Sequence, residues 1–312
     1  MLLFMGASSS QIPTPSLDTE DTVAILALAW SPDSSSIVTG CHEGAQIWDV
    51  SGAPRLAYEG QRAITAVAWS PDGTRIASGG ADQRIHLWDA QTGEQRFVYN
   101  RHSDTITAIA WSPDGRHIAS GSFDNSVQVW DAERGDLLLT YRGQSATAAG
   151  FVSALTWSPD GSRIASCCGD EYAQVWDAKH GDTLLTYQHY TSWIRQIAWS
   201  PDDRLIASAS DTSVQLWDGT SGSRIFTYRG HSLSHPPVIP PQPVRALAWS
   251  PNSRCMVSAS GDSALLWSTA TGETLSKHRC PAGAISALAW SPDGTRIAIG
   301  GEDKTLELWR PA

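Results

Sequence analysis

The sequence predicts an all-β chain made of seven copies of one four-stranded unit. Two observations carry this. Fourteen of the fifteen tryptophans fall into seven pairs, and no segment shows helix-length apolar periodicity. The first members are Trp30, Trp69, Trp111, Trp157, Trp199, Trp249 and Trp290, and their partners are Trp48, Trp88, Trp130, Trp176, Trp217, Trp267 and Trp309. The spacing of the first members indicates a unit of nearly constant length, lengthened in places by loop insertions. Trp193 alone stands outside the pattern.

The clearest copy runs from His102 to Asp131 and reads HSDTITAIAWSPDGRHIASGSFDNSVQVWD. Ile106 to Trp111 reads as a first strand, because β-branched and aromatic residues lead into a turn signal. Ser112 to Gly115, SPDG, supplies that turn: proline presets φ, and glycine accepts the left-handed position. His117 to Ser120 reads as the second strand, Asn125 to Trp130 as the third and Leu137 to Tyr141 as the fourth. Strands that never alternate with helices argue against a barrel of βα units or a dinucleotide-binding fold.

Composition narrows the function classes. The chain has 312 residues and carries 32 acidic against 22 basic side chains, a formal charge of -10. Such a field repels nucleic acid and anionic membrane. Only Lys179, Lys277 and Lys304 are lysines, and no basic run resembles a nucleic-acid-binding tail. No stretch approaches the roughly 18 to 20 apolar residues that span a bilayer. The five cysteines, Cys41, Cys167, Cys168, Cys255 and Cys280, fit neither a disulfide framework nor a zinc ribbon, so reduced and mostly buried thiols are expected. The apolar start MLLFM lacks the basic flank and length of a secretory signal, which makes a cytoplasmic location the expectation.

With the repeat in view, the chain closely resembles the WD40 family, whose units of about 40 to 45 residues each form a propeller blade. The Trp-Asp signature appears at Trp48-Asp49, Trp88-Asp89, Trp130-Asp131, Trp176-Asp177 and Trp217-Asp218; Trp267-Ser268 and Trp309-Arg310 keep only the aromatic. The resemblance implies a seven-bladed β-propeller of four-stranded antiparallel blades, one domain over residues 1–312, closed by its N-terminal strand. The AWSPDG wording is similar to compact bacterial members. MLLFMG resembles LLLTYRG at Leu137 to Gly143, and the chain ends just after the seventh pair, so Leu2 to Met5 is the expected closing strand.

The family also implies a hydrogen-bonded tetrad in each blade, matched in the third unit by His102, Ser120, Asp124 and Trp130. A repeated location makes this Ser-His-Asp set a blade staple rather than a catalytic triad. Other units keep parts of it: Ser78, Asp82 and Trp88 accompany Gly60-Gln61, and Ser208, Asp211 and Trp217 accompany His189-Tyr190. His42 takes the acid's place in the first unit, and in the sixth Gly261 does so with Asp262 displaced by one.

Two insertions, Ala7 to Thr22 and His231 to Pro243, are expected on one rim, which the resemblance makes the partner-binding face. Phe151, Trp193, Arg195 and Arg245 fall at equivalent points near the starts of inner strands and are the candidate partner-binding residues. The leading function is therefore a noncatalytic protein- or peptide-binding scaffold, monomeric and without cofactor or metal. A propeller hydrolase with a rim-loop site and a self-assembling structural module are the alternatives; neither HExxH nor a Walker loop is present to support an enzyme.

Overall fold

Each tryptophan pair spans the inner three strands of a four-stranded antiparallel sheet, and the chain repeats this sheet seven times. The computed structural model describes residues 9–12, 24–143, 150–169, 171–188, 192–233, 242–280 and 283–311. The inner strands are Ala27–Trp30, Ile64–Trp69, Ile106–Trp111, Val152–Trp157, Ile194–Trp199, Val244–Trp249 and Ile285–Trp290, and they number the blades one to seven. Each inner strand packs beside the next, and that of blade seven returns to that of blade one. Among the described residues the only helical element is the 3-10 turn Gly230–Leu233, and no helix is long and apolar enough to cross a membrane.

Burial explains the wording of the repeat. In blade three the second strand, His117–Ser122, and the third, Val127–Asp131, are buried almost throughout, because neighbouring blades cover both faces of the sheet. The second strand must therefore be small: a Cβ on Gly121 would lie 2.5 Å from Val152 Cγ1 of the next blade. The outer strand, Leu137–Tyr141, alternates toward solvent and buries only its last residue. The SPDG turn begins with Ser112 Oγ bonded to Asp114 Oδ1 at 2.6 Å, and Gly115 takes φ of 70°. The fourth turn residue is left-handed in every blade, even where it is Ser34, Asp203 or Ser253.

Both tryptophans of a pair hold blades to one another. In five blades the first donates its indole N–H to a carbonyl of the preceding blade, as in Trp69 to Ala29 at 3.2 Å, Trp111 to Ala68 at 3.2 Å and Trp30 to Ala289 at 3.1 Å, while Trp199 and Trp290 have no such partner among the described residues. The second is stacked under a tyrosine that ends the preceding outer strand, at centroid separations of 4.3 to 4.8 Å in five junctions. Each such stack contributes about 0.5 to 1.5 kcal/mol beyond its buried area. The tyrosine hydroxyl then reaches the next blade's third strand: Tyr99 bonds Gln128 at 2.6 Å, Tyr141 bonds Gln174 at 3.0 Å and Tyr187 bonds Gln215 at 2.6 Å.

Two expectations change at the N-terminus. Ser9–Ile12, inside the expected Ala7 to Thr22 insertion, is a strand that pairs antiparallel with Leu306–Trp309 as the fourth strand of blade seven. The outer position is held by this later and more polar segment rather than the apolar one the resemblance indicated; Leu2 to Met5 lie outside the described residues. Most of the second insertion also lies outside the described residues. His231, its first residue, is buried and bonds Ser258 at 2.8 Å, so it belongs to the blade rather than to a rim loop.

Candidate functional site

The third-blade staple forms where the turn between the second and third strands meets the segment entering the blade. Asn125 has φ of 64°, which turns the chain back and leaves Asp124 facing inward. One Asp124 oxygen accepts from Ser126 N at 2.9 Å and Ser126 Oγ at 2.5 Å. The other takes Ser103 N at 3.0 Å and meets His102 Nδ1 at 2.8 Å. His102 Nε2 continues to Ser120 Oγ at 2.8 Å. Burial pushes the Asp124 pKa up, but the bonds from His102 and Ser126, the His102 charge and the Ser103 N–H outweigh it and hold the carboxyl well below its ordinary range.

Trp130 is fully buried and stacked on Tyr99, yet its indole N–H has no hydrogen-bond partner among the described residues. The structure thus joins three of the four expected members. The complete set occurs in blade two, where Gln61 stands in for histidine. Trp88 Nε1 donates to Ser78 Oγ at 3.1 Å, Ser78 Oγ donates to Gln61 Oε1 at 2.7 Å, and Gln61 Nε2 donates to Asp82 Oδ1 at 3.0 Å. An amide presents one acceptor and one donor, as a neutral imidazole does. That equivalence, with Gln61 three residues after Tyr58 as His102 is after Tyr99, is the signal in the sequence. His189 and Tyr190 lie outside the described residues.

The rim residues gather where the loops entering each blade and the turns between second and third strands emerge together. Phe151 precedes the inner strand of blade four and Trp193 that of blade five; their rings meet edge-on at 5.9 Å and 89°. Phe123, from the blade-three turn, joins them at 4.8 Å and 79° from Phe151. Trp193 is 48% exposed and Phe123 44%, so this aromatic run faces solvent. Phe123 was not among the sequence candidates. Its signal is a bulky residue in a turn slot held by Ala81 in blade two.

Arg195 and Arg245 occupy a position with a defined role elsewhere in the ring. The second residue of each inner strand in blades two to seven sits in a β-bulge. In blade three Thr107 Oγ1 donates from there to Val152 O of the next blade at 2.5 Å, and in blade four Ser153 Oγ donates to Ile194 O at 2.7 Å. Thr65 and Ser286 do the same to Ile106 and Ile25. Only blades five and six place an arginine there. The Arg195 guanidinium lies 5.9 Å from the Trp193 ring centroid, and its Nε is buried without a partner among the described residues. Arg245 pairs with Glu302 of the neighbouring blade seven at the channel mouth. Both arginines line a cavity of about 660 Å³ there, with Ala24, Leu26, Ser286 and Glu302.

Comparison with protein families assigns the ring. The WD domain, G-beta repeat model matches seven times, over residues 13–49, 52–89, 93–131, 135–177, 181–218, 222–268 and 271–310. The chain belongs to the WD40 family. From the second match onward each matched unit begins with the outer strand of one blade and ends with the third strand of the next, so the WD40 unit straddles a blade junction. The first match begins at residue 13, directly after the Ser9–Ile12 strand. Comparison with curated proteins gives no match. WD40 propellers commonly serve as protein-interaction scaffolds, and the seven-bladed ring fits that class.

Proposed function

We propose that this WD40 protein is a noncatalytic scaffold that binds a protein or peptide on the rim carrying Phe123, Phe151, Trp193, Arg195 and Arg245. The observation behind this reading is the departure from the ring's own pattern: blades five and six give up the hydroxyl link made by Thr65, Thr107, Ser153 and Ser286 and place arginines at the channel mouth. Beside them an exposed aromatic run supplies rigid contact area, and aromatic plus arginine is the composition that dominates binding hot spots. The arginines favour a partner segment offering carboxylates or carbonyls. The Ser-His-Asp set is read as a staple, since Ser120 is fully buried and beyond a substrate's reach. The same reading makes the protein a cytoplasmic monomer with no nucleic-acid or membrane partner, in keeping with its charge of -10.

The test compares wild type with Trp193→Ala and with Arg195→Thr, which installs the bulge residue of blade three. A partner captured from cell extract is then purified and its affinity measured directly. Each substitution is expected to weaken binding about tenfold or more, roughly 1.4 kcal/mol, with melting temperature unchanged. Equal affinity for all three proteins moves the interface off this rim.

A further inference from the structure

Five of the blade junctions use a tyrosine over the next blade's second tryptophan. Between blades six and seven the tyrosine is replaced by His278, whose ring stacks on Trp309 at 5.5 Å and 23°. The third-strand residue two before that tryptophan is glutamine at the three junctions where Tyr99, Tyr141 and Tyr187 bond it, and here it is Glu307. His278 Nε2 lies 2.7 Å from Glu307 Oε2, and Cys280 Sγ lies 3.7 Å from the same oxygen. Three coordinating atoms of three different chemistries thus fall within 4.8 Å of one another. No spacing motif announces them, because they come from two blades.

We propose that His278, Cys280 and Glu307 form a three-ligand site for a zinc-class divalent cation between blades six and seven. Imidazole, thiolate and carboxylate form a mixed donor set suited to such an ion, and the two anions balance its charge. Around a tetrahedral ion, nitrogen and oxygen ligands stand roughly 3.3 Å apart and sulfur and oxygen slightly further. The Cys280–Glu307 separation already has that scale, and the His278–Glu307 hydrogen bond opens by about half an ångström to admit the ion. Binding displaces the thiol proton to solvent, sends the proton held between His278 Nε2 and Glu307 to Nδ1 or to solvent so that Nε2 is free to ligate, and exchanges a weak S–H contact for a metal–sulfur bond. Cys280 and Glu307 are buried, while the His278 side chain, on an outer strand, keeps 11% of its surface exposed, so the ion and one water approach from the propeller's side. The bound ion ties the outer strand of blade six to blade seven.

The experiment uses the full chain, reduced and stripped with a chelator, then titrated with Co²⁺ and afterwards Zn²⁺. One equivalent of Co²⁺ is expected to produce a thiolate-to-metal charge-transfer band that Zn²⁺ displaces. Cys280→Ser removes the band. The double variant His278→Tyr, Glu307→Gln rebuilds the tyrosine–glutamine junction of the other blades, and it is expected to weaken Zn²⁺ binding by at least the roughly 10- to 100-fold that loss of an outer-shell partner costs. Absence of the band in wild type, its persistence in Cys280→Ser, or wild-type Zn²⁺ affinity in a folded double variant each overturns the site. Should the double variant not fold, Cys280→Ser decides alone.

Discussion

Blades three and seven carry the same turn with opposite interiors. Asp124 and Asp303 each sit four residues after the middle of a second strand and each accept from the residue two positions on, Ser126 N at 2.9 Å and Thr305 N at 3.1 Å. In blade three the second carboxylate oxygen continues inward to His102 and thence to Ser120. In blade seven Ile299 stands where Ser120 would, and Asp303 Oδ2 is buried without a partner among the described residues. Both second tryptophans are fully buried and both lack an indole partner there. The turn half of the staple is local and survives in both. The inward arm is a separate addition that a well-packed apolar sandwich can lack.

The largest effect is expected where blade seven depends on a strand from the other end of the chain. Removing residues 1–12 takes away Ser9–Ile12 and leaves Leu306–Trp309 as an open sheet edge. Thermal unfolding should fall by on the order of 10 °C, as several kcal/mol are lost from a chain of this size. Removing residues 1–6 should leave the transition within about 2 °C. Equal losses from both truncations would return the closing role to Leu2 to Met5.

Next in size is the arm itself. Asp124→Asn is expected to cost about 2 to 4 kcal/mol at neutral pH, because it removes the charge from a buried, fully bonded carboxylate. Asp303→Asn should cost less than about 1 kcal/mol, since only the turn bonds are disturbed. The Asp124 pKa is depressed in the folded state, so its contribution is complete above the ordinary carboxylate pKa of about 3.8 and is lost as pH falls toward the folded value. The gap between wild type and Asp124→Asn, measured by denaturant unfolding, should therefore narrow as pH drops below about 4. Equal melting temperatures for the two variants at pH 7 would remove the distinction between the blades.

What the sequence disclosed follows the range of the interaction behind it. In blade three the expected strands Ile106 to Trp111 and Leu137 to Tyr141 coincide with the folded ones, and His117 to Ser120 extends by two residues to Ser122. These are set by turn residues and alternation that lie within a few positions. The third strand begins at Val127 rather than Asn125, because Asn125 is used by the left-handed turn that aims Asp124 inward. Phe151, Trp193 and Arg195 could be grouped by aligning repeats, since equivalent loops emerge on one rim. Phe123 escaped because it enters that rim from a different turn, and the His278, Cys280 and Glu307 cluster escaped because it exists only across a junction.

The smallest effect is the most selective. Blade six keeps the imidazole while Gly261 takes the acid's place in the turn: His231 Nε2 meets Ser258 Oγ at 2.8 Å, and Trp267 donates to the same hydroxyl at 3.1 Å. Burial and the nearby Lys277 charge push the His231 pKa down to about 4. The unfolded chain takes up this proton near pH 6.5, before the folded chain does, so stability declines as pH falls from about 6.5 toward 4. His231→Gln copies the amide that Gln61 uses in blade two, where Ser78 donates to it at 2.7 Å. The variant should lose under about 1 kcal/mol at pH 7.5 and match or exceed wild type at pH 5, as denaturant midpoints at the two pH values will show. A decline as steep as wild type's would assign the acid sensitivity to other groups and leave histidine and glutamine interchangeable in the staple at any pH.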